Sequence, residues 1–140
     1  MTEPATVERV VANDSAVELL TKLSELHGGL MIHQSGGCCD GSAPMCYPSG
    51  EYRIGQRDVL LGEVELPVPL PPVRVWINGD QFQLWKHTQL ILDVVPGRGA
   101  GFSLEAPEGV RFLTRSRVFT DEEITELESN PPRTGADFDV

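Results

Sequence analysis

The sequence predicts an α+β fold: an N-terminal helix, then a mainly antiparallel sheet curled into a sandwich or a partly open barrel, then a short C-terminal helix. Two observations favour it. A segment near the start has apolar residues at helical spacing, and most apolar segments after residue 58 are short, rich in β-branched and aromatic residues, and separated by turn-forming residues. Because the composition does not change along the chain, we expect one domain over 1–128 and a mobile tail over 129–140.

The first helix is predicted over 15–27. Asp14 or Ser15 can cap its N-terminus, and Gly28 or the glycine after it can end it. Directly afterwards, "LMIH" at 30–33 predicts a short buried strand that leads into a glycine-rich loop. The apolar positions of the helix recur every third residue, at Val17, Leu20, Leu23 and Leu26.

The rest of the chain predicts a series of strands and one more helix. Asn78 and Gly79 tolerate the positive φ of a tight turn, so "NGD" predicts a hairpin that joins the strands on either side of it. The proline-rich segment 66–72 predicts an extended connection, and a capping residue followed by acidic residues predicts a helix over 120–128. The strands are predicted at 58–66, 73–77, 81–87, 89–95, 101–106 and 110–119.

The overall charge restricts the classes of partner. The chain has 140 residues and a formal net charge of −10 at pH 7, so its long-range field repels phosphate backbones and anionic lipid headgroups. We therefore expect neither nucleic acid nor a membrane as partner. The first residues are acidic and lack the pattern of a secretory signal, and no segment has the run of about 18 apolar residues that spans a membrane. A cytoplasmic protein is expected, and formation of a homo-oligomer stays open.

All three cysteines lie within "SGGCCDGSAPMC" at 35–46, where glycines allow the backbone to fold tightly. Thiolates and imidazoles bind zinc and iron, and clustered thiols in a reducing compartment favour metal binding over a disulfide framework. A tetrahedral site needs four ligands. For one zinc or iron ion per chain, the predicted ligands are His33, Cys38, Cys39 and Cys46, with His87 as a reserve ligand or as the group that orients one.

Two other interpretations of this loop stay open. Adjacent ligands such as Cys38 and Cys39 depart from the common zinc spacings, so either thiol could instead serve a redox reaction or act as a nucleophile. The three cysteines could also be small buried hydrophobic residues. The sequence contains no GxSxG, HExxH or phosphate-binding glycine motif, which favours a non-catalytic protein.

Two long runs of the sequence resemble a known family. They are "HQSGGCCDGSAPMC" and "WKHTQLILDVVPGRGAGFSLEAPEGVRFLTRSRVF", and the likeness extends from about Ala16 to Phe119. The chain resembles the small bacterial proteins grouped as domain of unknown function 779. Members of that family are often encoded beside an aldehyde dehydrogenase. The resemblance therefore implies a shared pathway and a complex with that enzyme, and it assigns no chemistry.

Two surfaces are candidates for such a contact. The acidic end "GADFDV" carries Phe138 between two aspartates, and this ring could anchor in an apolar pocket with a basic rim on the partner. The second surface is the strand that runs from Arg111 to Arg117. We expect a non-catalytic, metal-binding accessory protein that associates with an aldehyde dehydrogenase. The alternative is a small thiol-dependent enzyme or redox protein that acts through Cys38 or Cys39.

Overall fold

A computed structural model of the chain describes residues 7–34, 44–50, 54–97 and 103–137. Two short 3-10 turns, Ala106–Glu108 and Gly135–Asp137, accompany the regular elements of these ranges. None of the helices in the described ranges is long and apolar enough to cross a membrane. The regular elements are β1 (Val10–Ala12), α1 (Asp14–His27), β2 (Leu30–Gln34), β3 (Met45–Pro48), β4 (Val59–Val64), β5 (Val73–Ile77), α2 (Gly79–Trp85), β6 (Thr88–Pro96), β7 (Val110–Val118) and α3 (Asp121–Ser129).

The strands form two mixed sheets, with the orders β1-β6-β7 and β3-β2-β5-β4. The α+β class is confirmed, and neither sheet, as far as the structure describes it, closes into a barrel. Two details of the prediction were wrong. The strand β1 precedes the first helix, and it was missed because three residues are too few to show a period. The sheets are mixed because β1 pairs with β6 and β2 pairs with β5 in parallel.

Helix α1 confirms the first predicted helix and shows which face is buried. The side chain of Asn13, one residue before the predicted cap, accepts a hydrogen bond from the Ala16 N–H at 3.0 Å, and Gly28 ends the helix with φ of 86°. Leu20 and Leu23 are buried, but Leu26 is 63% exposed. Three residues of an α-helix advance by about 300° around its axis, which is less than a full turn. Side chains at this spacing therefore move progressively around the helix, and the last one points away from the core.

One hydrophobic core joins both sheets and α1. Its buried members include Leu20 of α1, Val75 of β5 and Leu92 of β6. The sheets meet near β1 and β4, where a Cβ added to Gly62 would lie 3.1 Å from a Val10 methyl carbon. The described elements of both sheets and α1 therefore share one core. Strands predicted at 30–33, 58–66, 73–77, 89–95 and 110–119 are confirmed with small shifts of their ends, and so is the helix predicted at 120–128.

The hairpin predicted at "NGD" was wrong, because this segment begins helix α2 instead. The Asn78 side chain accepts a hydrogen bond from the Asp80 N–H at 2.9 Å and so caps the helix. Gly79 is needed for a close approach rather than for a positive φ, since a Cβ there would lie 2.5 Å from the Arg57 carbonyl oxygen. The strand predicted at 81–87 is therefore helical to Trp85.

The described part of the strand predicted at 101–106 was wrong, and the described part of the predicted tail makes backbone contacts near β4. Of the strand predicted at 101–106, residues 101–102 lie outside the described residues, and the rest forms a bend that leads into a 3-10 turn. The described part of the predicted mobile tail is attached to β4. The Leu60 N–H donates to the Arg133 carbonyl oxygen at 2.8 Å, and the Gly135 N–H donates to the Asp58 carbonyl oxygen at 2.8 Å. Phe138 lies outside the described residues.

We predict that Gly79→Ala lowers the free energy of unfolding by about 1–3 kcal/mol, because the new methyl group must displace the Arg57 backbone. Urea denaturation measures this loss. Gly55→Ala is the matched control, since its Cβ would be 3.5 Å from the nearest heavy atom, an Asp58 carboxylate oxygen. Equal stability of the two variants would contradict the close contact at Gly79.

Candidate functional site

The cysteine-rich segment is the connection of a β-hairpin. Strands β2 and β3 pair antiparallel, with His33 opposite Met45 and Ile32 opposite Cys46. Cys38 and Cys39 fall in the connection between these strands, and both lie outside the described residues. The structure therefore places His33 and Cys46 at the base of the connection that carries the other two cysteines.

His33 is buried and contacts a carboxylate. It is 2% exposed, and its Nε2 atom lies 3.1 Å from Oδ1 of Asp58. The other carboxylate oxygen of Asp58 accepts a hydrogen bond from the Gly55 N–H at 2.8 Å. A carboxylate on one imidazole nitrogen fixes the orientation of the ring and selects the tautomer with the proton on that nitrogen. Such a pair can orient a metal ligand or a general base.

Strand register explains why His33 and Asp58 meet although two strands carry them. His33 is paired with Trp76 of β5, and Trp76 is paired with Leu60 of β4, so these three residues lie on one face of the sheet. Asp58 is two residues before Leu60 and shares its face, because side chains alternate along an extended chain. The contact spans the width of β5.

Cys46 lies on the opposite face of the same sheet. It is paired with Ile32, the neighbour of His33, and both Ile32 and Cys46 belong to the main hydrophobic core. Antiparallel partners share a face, whereas consecutive residues alternate. The register therefore separates the side chains of Cys46 and His33, which the sequence interpretation had placed in one ligand set.

The surroundings of Cys46 oppose ionisation of its thiol. Burial, with a further effect of the Glu105 charge, raises the pKa of the Cys46 thiol far above its ordinary value. Metal binding and nucleophilic attack both require the thiolate. Cys46 is therefore suited to the core, and this matches the interpretation of a buried cysteine for one of the three.

A buried polar cluster next to Cys46 was missed by the sequence analysis. The Cys46 N–H donates to the Ser103 hydroxyl oxygen at 2.8 Å, and that hydroxyl donates to the Glu105 carboxylate. Glu105 is 1% exposed, and burial raises the pKa of its carboxyl group. The cluster joins the bend at residues 103–105 to strand β3, since the Leu104 N–H also donates to the Cys46 carbonyl oxygen at 3.0 Å.

His87 is not brought to this hairpin. It is exposed in the turn between α2 and β6, where it lines a separate cleft together with Arg9 and Lys86. Neither His33 nor Cys46 lines that cleft. Within the described ranges, no group of three or more His, Cys, Asp and Glu side chains is placed so that it could hold a metal ion. The ligand set predicted from the sequence, His33, Cys38, Cys39 and Cys46 with His87 in reserve, stays a prediction, because Cys38 and Cys39 lie outside the described residues.

The sequence profile of the family "Domain of unknown function (DUF779)" matches residues 19–118. The chain belongs to this family. The matched range begins within α1 and ends with β7, so it includes the hairpin and the strands that carry His33, Cys46 and Asp58. No curated protein and no solved structure matches the chain. Membership of the DUF779 family confirms the resemblance, and it leaves the chemistry to be argued from the site.

We predict that Glu105→Gln raises the stability of the protein by an amount that grows as the pH rises above 4.5. The ordinary carboxyl pKa is 4.5, and burial raises the folded-state value. Between these two pKa values the folded protein binds more protons than the unfolded chain, so the wild type loses stability with rising pH. The glutamine stays neutral and keeps an oxygen for Ser103.

Urea denaturation of both proteins between pH 4 and pH 8 measures this difference. The exposed Glu65→Gln serves as the control for loss of one surface charge. A difference between wild type and Glu105→Gln that stays constant over the range would contradict the assignment.

Proposed function

We propose that the chain is a non-catalytic accessory protein that binds one zinc or iron ion at the β2–β3 hairpin and associates with an aldehyde dehydrogenase. The observation that carries the metal proposal is the buried His33–Asp58 pair at the base of the cysteine-bearing connection. Metal-bound histidines in proteins almost always donate their second ring nitrogen to a carboxylate, a carbonyl or water. His33 has this arrangement.

The proposed ligands are His33, Cys38 and Cys39. The two thiols follow five and six residues after the histidine, and glycines on both sides of them allow the chain to turn back. Zinc accepts this combination of nitrogen and sulfur ligands, and the fourth tetrahedral position is left to a donor outside the described residues.

Cys46 is removed from the ligand set proposed from the sequence. Its side chain leaves β3 on the face opposite His33, and burial raises the pKa of its thiol. The proposal therefore divides the three cysteines into two classes. Cys38 and Cys39 serve the metal, and Cys46 serves the core.

We predict that Cys38→Ser and Cys39→Ser each abolish stoichiometric metal binding, whereas Cys46→Ser retains the metal and loses stability. Each substitution exchanges the same sulfur for oxygen, so Cys46→Ser is the matched control. Protein purified without a histidine tag is analysed by mass spectrometry of its metal content, and thermal unfolding reports stability. Asp58→Asn should weaken the metal about 10- to 100-fold because it removes the orienting carboxylate.

Full metal content in both Cys38→Ser and Cys39→Ser would contradict the proposed site. If Cys46→Ser does not fold, Cys46→Ala provides the same comparison without a buried hydroxyl. Loss of metal from well-folded Cys46→Ala would show that the thiol is a ligand after all.

The same pair of side chains also supports the alternative, a thiol-dependent enzyme or redox protein. An imidazole oriented by a carboxylate is the usual partner that activates a cysteine nucleophile. In that case the purified protein is metal-free, and Cys38 or Cys39 is alkylated by iodoacetamide at a pH below the ordinary thiol range. His33→Gln would then slow the alkylation, which distinguishes the two functions.

The proposed association with an aldehyde dehydrogenase rests on the family resemblance. The ion pairs on strand β7 help to choose between the two candidate contact surfaces. Two of the arginines on β7 are already paired within the chain. Nε of Arg115 lies 2.7 Å from Oδ2 of Asp93, and Nη2 of Arg117 lies 3.0 Å from Oε2 of Glu123. These ion pairs leave the arginine strand less suited to an acidic partner. We therefore propose Phe138 and the adjoining terminal residues as the contact to test first.

We predict that the full chain co-elutes at micromolar concentration with an aldehyde dehydrogenase from the same organism, the partner that the family resemblance implies. A chain ending at Asp137 should bind about tenfold more weakly, the loss expected for an apolar anchor. This end point keeps the backbone contacts of residues 133–136 with β4 and its preceding turn. Phe138→Ala should reproduce the loss. Size-exclusion chromatography at moderate salt makes the measurement, and absence of any co-elution of the full chain would contradict the association.

A further inference from the structure

A cleft lies between the α2–β6 turn and helix α3, and no described residue of the cysteine hairpin lines it. Its volume is about 150 Å³. The basic residues Arg9, Lys86 and His87 line it, with Glu128 as the one acidic side chain among the lining residues. Its apolar walls are Phe82, Ile124, Leu127, Pro131 and Pro132. In a chain with a net charge of −10, this local excess of basic side chains is unusual.

Arg9 has no charged partner in the described part of the chain. Its Nη2 atom donates to the Leu127 carbonyl oxygen at 3.0 Å and to the Asn130 carbonyl oxygen at 2.7 Å, and both acceptors are neutral. No ion pair within the described ranges joins its guanidinium to a carboxylate. Burial lowers the pKa of Arg9, so its charge is partly removed from water. A partly desolvated cation without a counter-ion favours an anionic ligand.

A smaller cavity shares Arg9, Phe82 and Lys86 with the cleft and adds Trp85 to its lining. Trp85 is 5% exposed, and its buried indole N–H has no hydrogen-bond acceptor in the part of the chain that the structure describes. Buried tryptophan N–H groups usually find an acceptor. The cavity next to the cleft is therefore lined by a residue with an unpartnered buried donor, in addition to the cation of Arg9.

We infer that this cleft binds a small organic anion: a monocarboxylate with an apolar body about the size of one aromatic ring. A carboxylate complements the charge of Arg9 and can accept a hydrogen bond from an N–H group that the two carbonyl oxygens leave free. The apolar walls of the cleft accept the body of the ligand. A cavity of about 150 Å³ is large enough for a benzene ring. No described residue of the proposed metal site lines the cleft, so the two proposals are tested independently.

Titration of the ¹⁵N-labelled full chain with benzoate, benzyl alcohol and inorganic phosphate tests the inference by NMR. The chain has two tryptophans, and Trp85→Phe assigns the indole resonance of Trp85. Benzoate should shift this resonance saturably, at least tenfold more tightly than benzyl alcohol or phosphate. No shift up to 10 mM benzoate would overturn the inference. If benzyl alcohol binds as tightly as benzoate, the ligand does not need a negative charge. If phosphate binds as tightly as benzoate, the ligand does not need an apolar body. Either result would overturn the inference.

Two substitutions locate the anion. Arg9→Gln should weaken benzoate about tenfold, the effect of losing one charge-assisted contact, and Lys86→Gln should weaken it by a smaller factor. Arg115→Gln is the matched control, because Arg115 pairs with Asp93 on the β6–β7 pair and does not line the cleft. If Arg9→Gln does not fold, the affinity of Lys86→Gln alone provides the test, because Lys86 is exposed. Unchanged affinity in Lys86→Gln, and in Arg9→Gln where it folds, would overturn the assignment of this cleft.

Discussion

The parallel pairing of β2 with β5 is the constraint on which the proposed site depends. It places Trp76 between His33 and the start of β4, so that the histidine and Asp58 meet across the width of one strand. A shift of this register by one residue would exchange the faces and move His33 into the core. The apolar residues of β2 oppose such a shift, since Leu30 and Ile32 are buried in the core on the face opposite His33. Core packing therefore positions the polar pair.

The two faces of the β3-β2-β5-β4 sheet have different tasks. The face that carries Cys46 packs into the shared core and is joined to a polar cluster, in which Ser103 links the Cys46 backbone to Glu105. The face that carries His33 holds a histidine and a carboxylate that orients it. Because consecutive residues alternate between faces, the strand register puts Cys46 and His33 on opposite sides of the sheet. That division is the reason for assigning Cys46 to stability and the other two cysteines to chemistry.

Local patterns predicted most regular elements, and contacts distant in sequence account for the errors. The helical period of α1 and the acidic start of α3 sufficed for these helices, while the "NGD" hairpin failed because Asn78 caps a helix and Gly79 meets the Arg57 carbonyl. The parallel pairs were not predictable, since pairing partners leave no local signal. For the site, His33 could be proposed from its place beside the cysteines, but Asp58 could not. It lies 25 residues away, and only the sheet register brings it near.

The central claim is that His33 and two of the three thiols form a metal site from which Cys46 is excluded. X-ray absorption spectroscopy of the zinc-loaded full chain tests it most directly, because sulfur and nitrogen ligands scatter at different distances. We expect two sulfur atoms at about 2.3 Å and one imidazole nitrogen at about 2.0–2.1 Å. Three sulfur ligands would place Cys46 on the metal and contradict the division of faces. A spectrum without sulfur would contradict the site altogether.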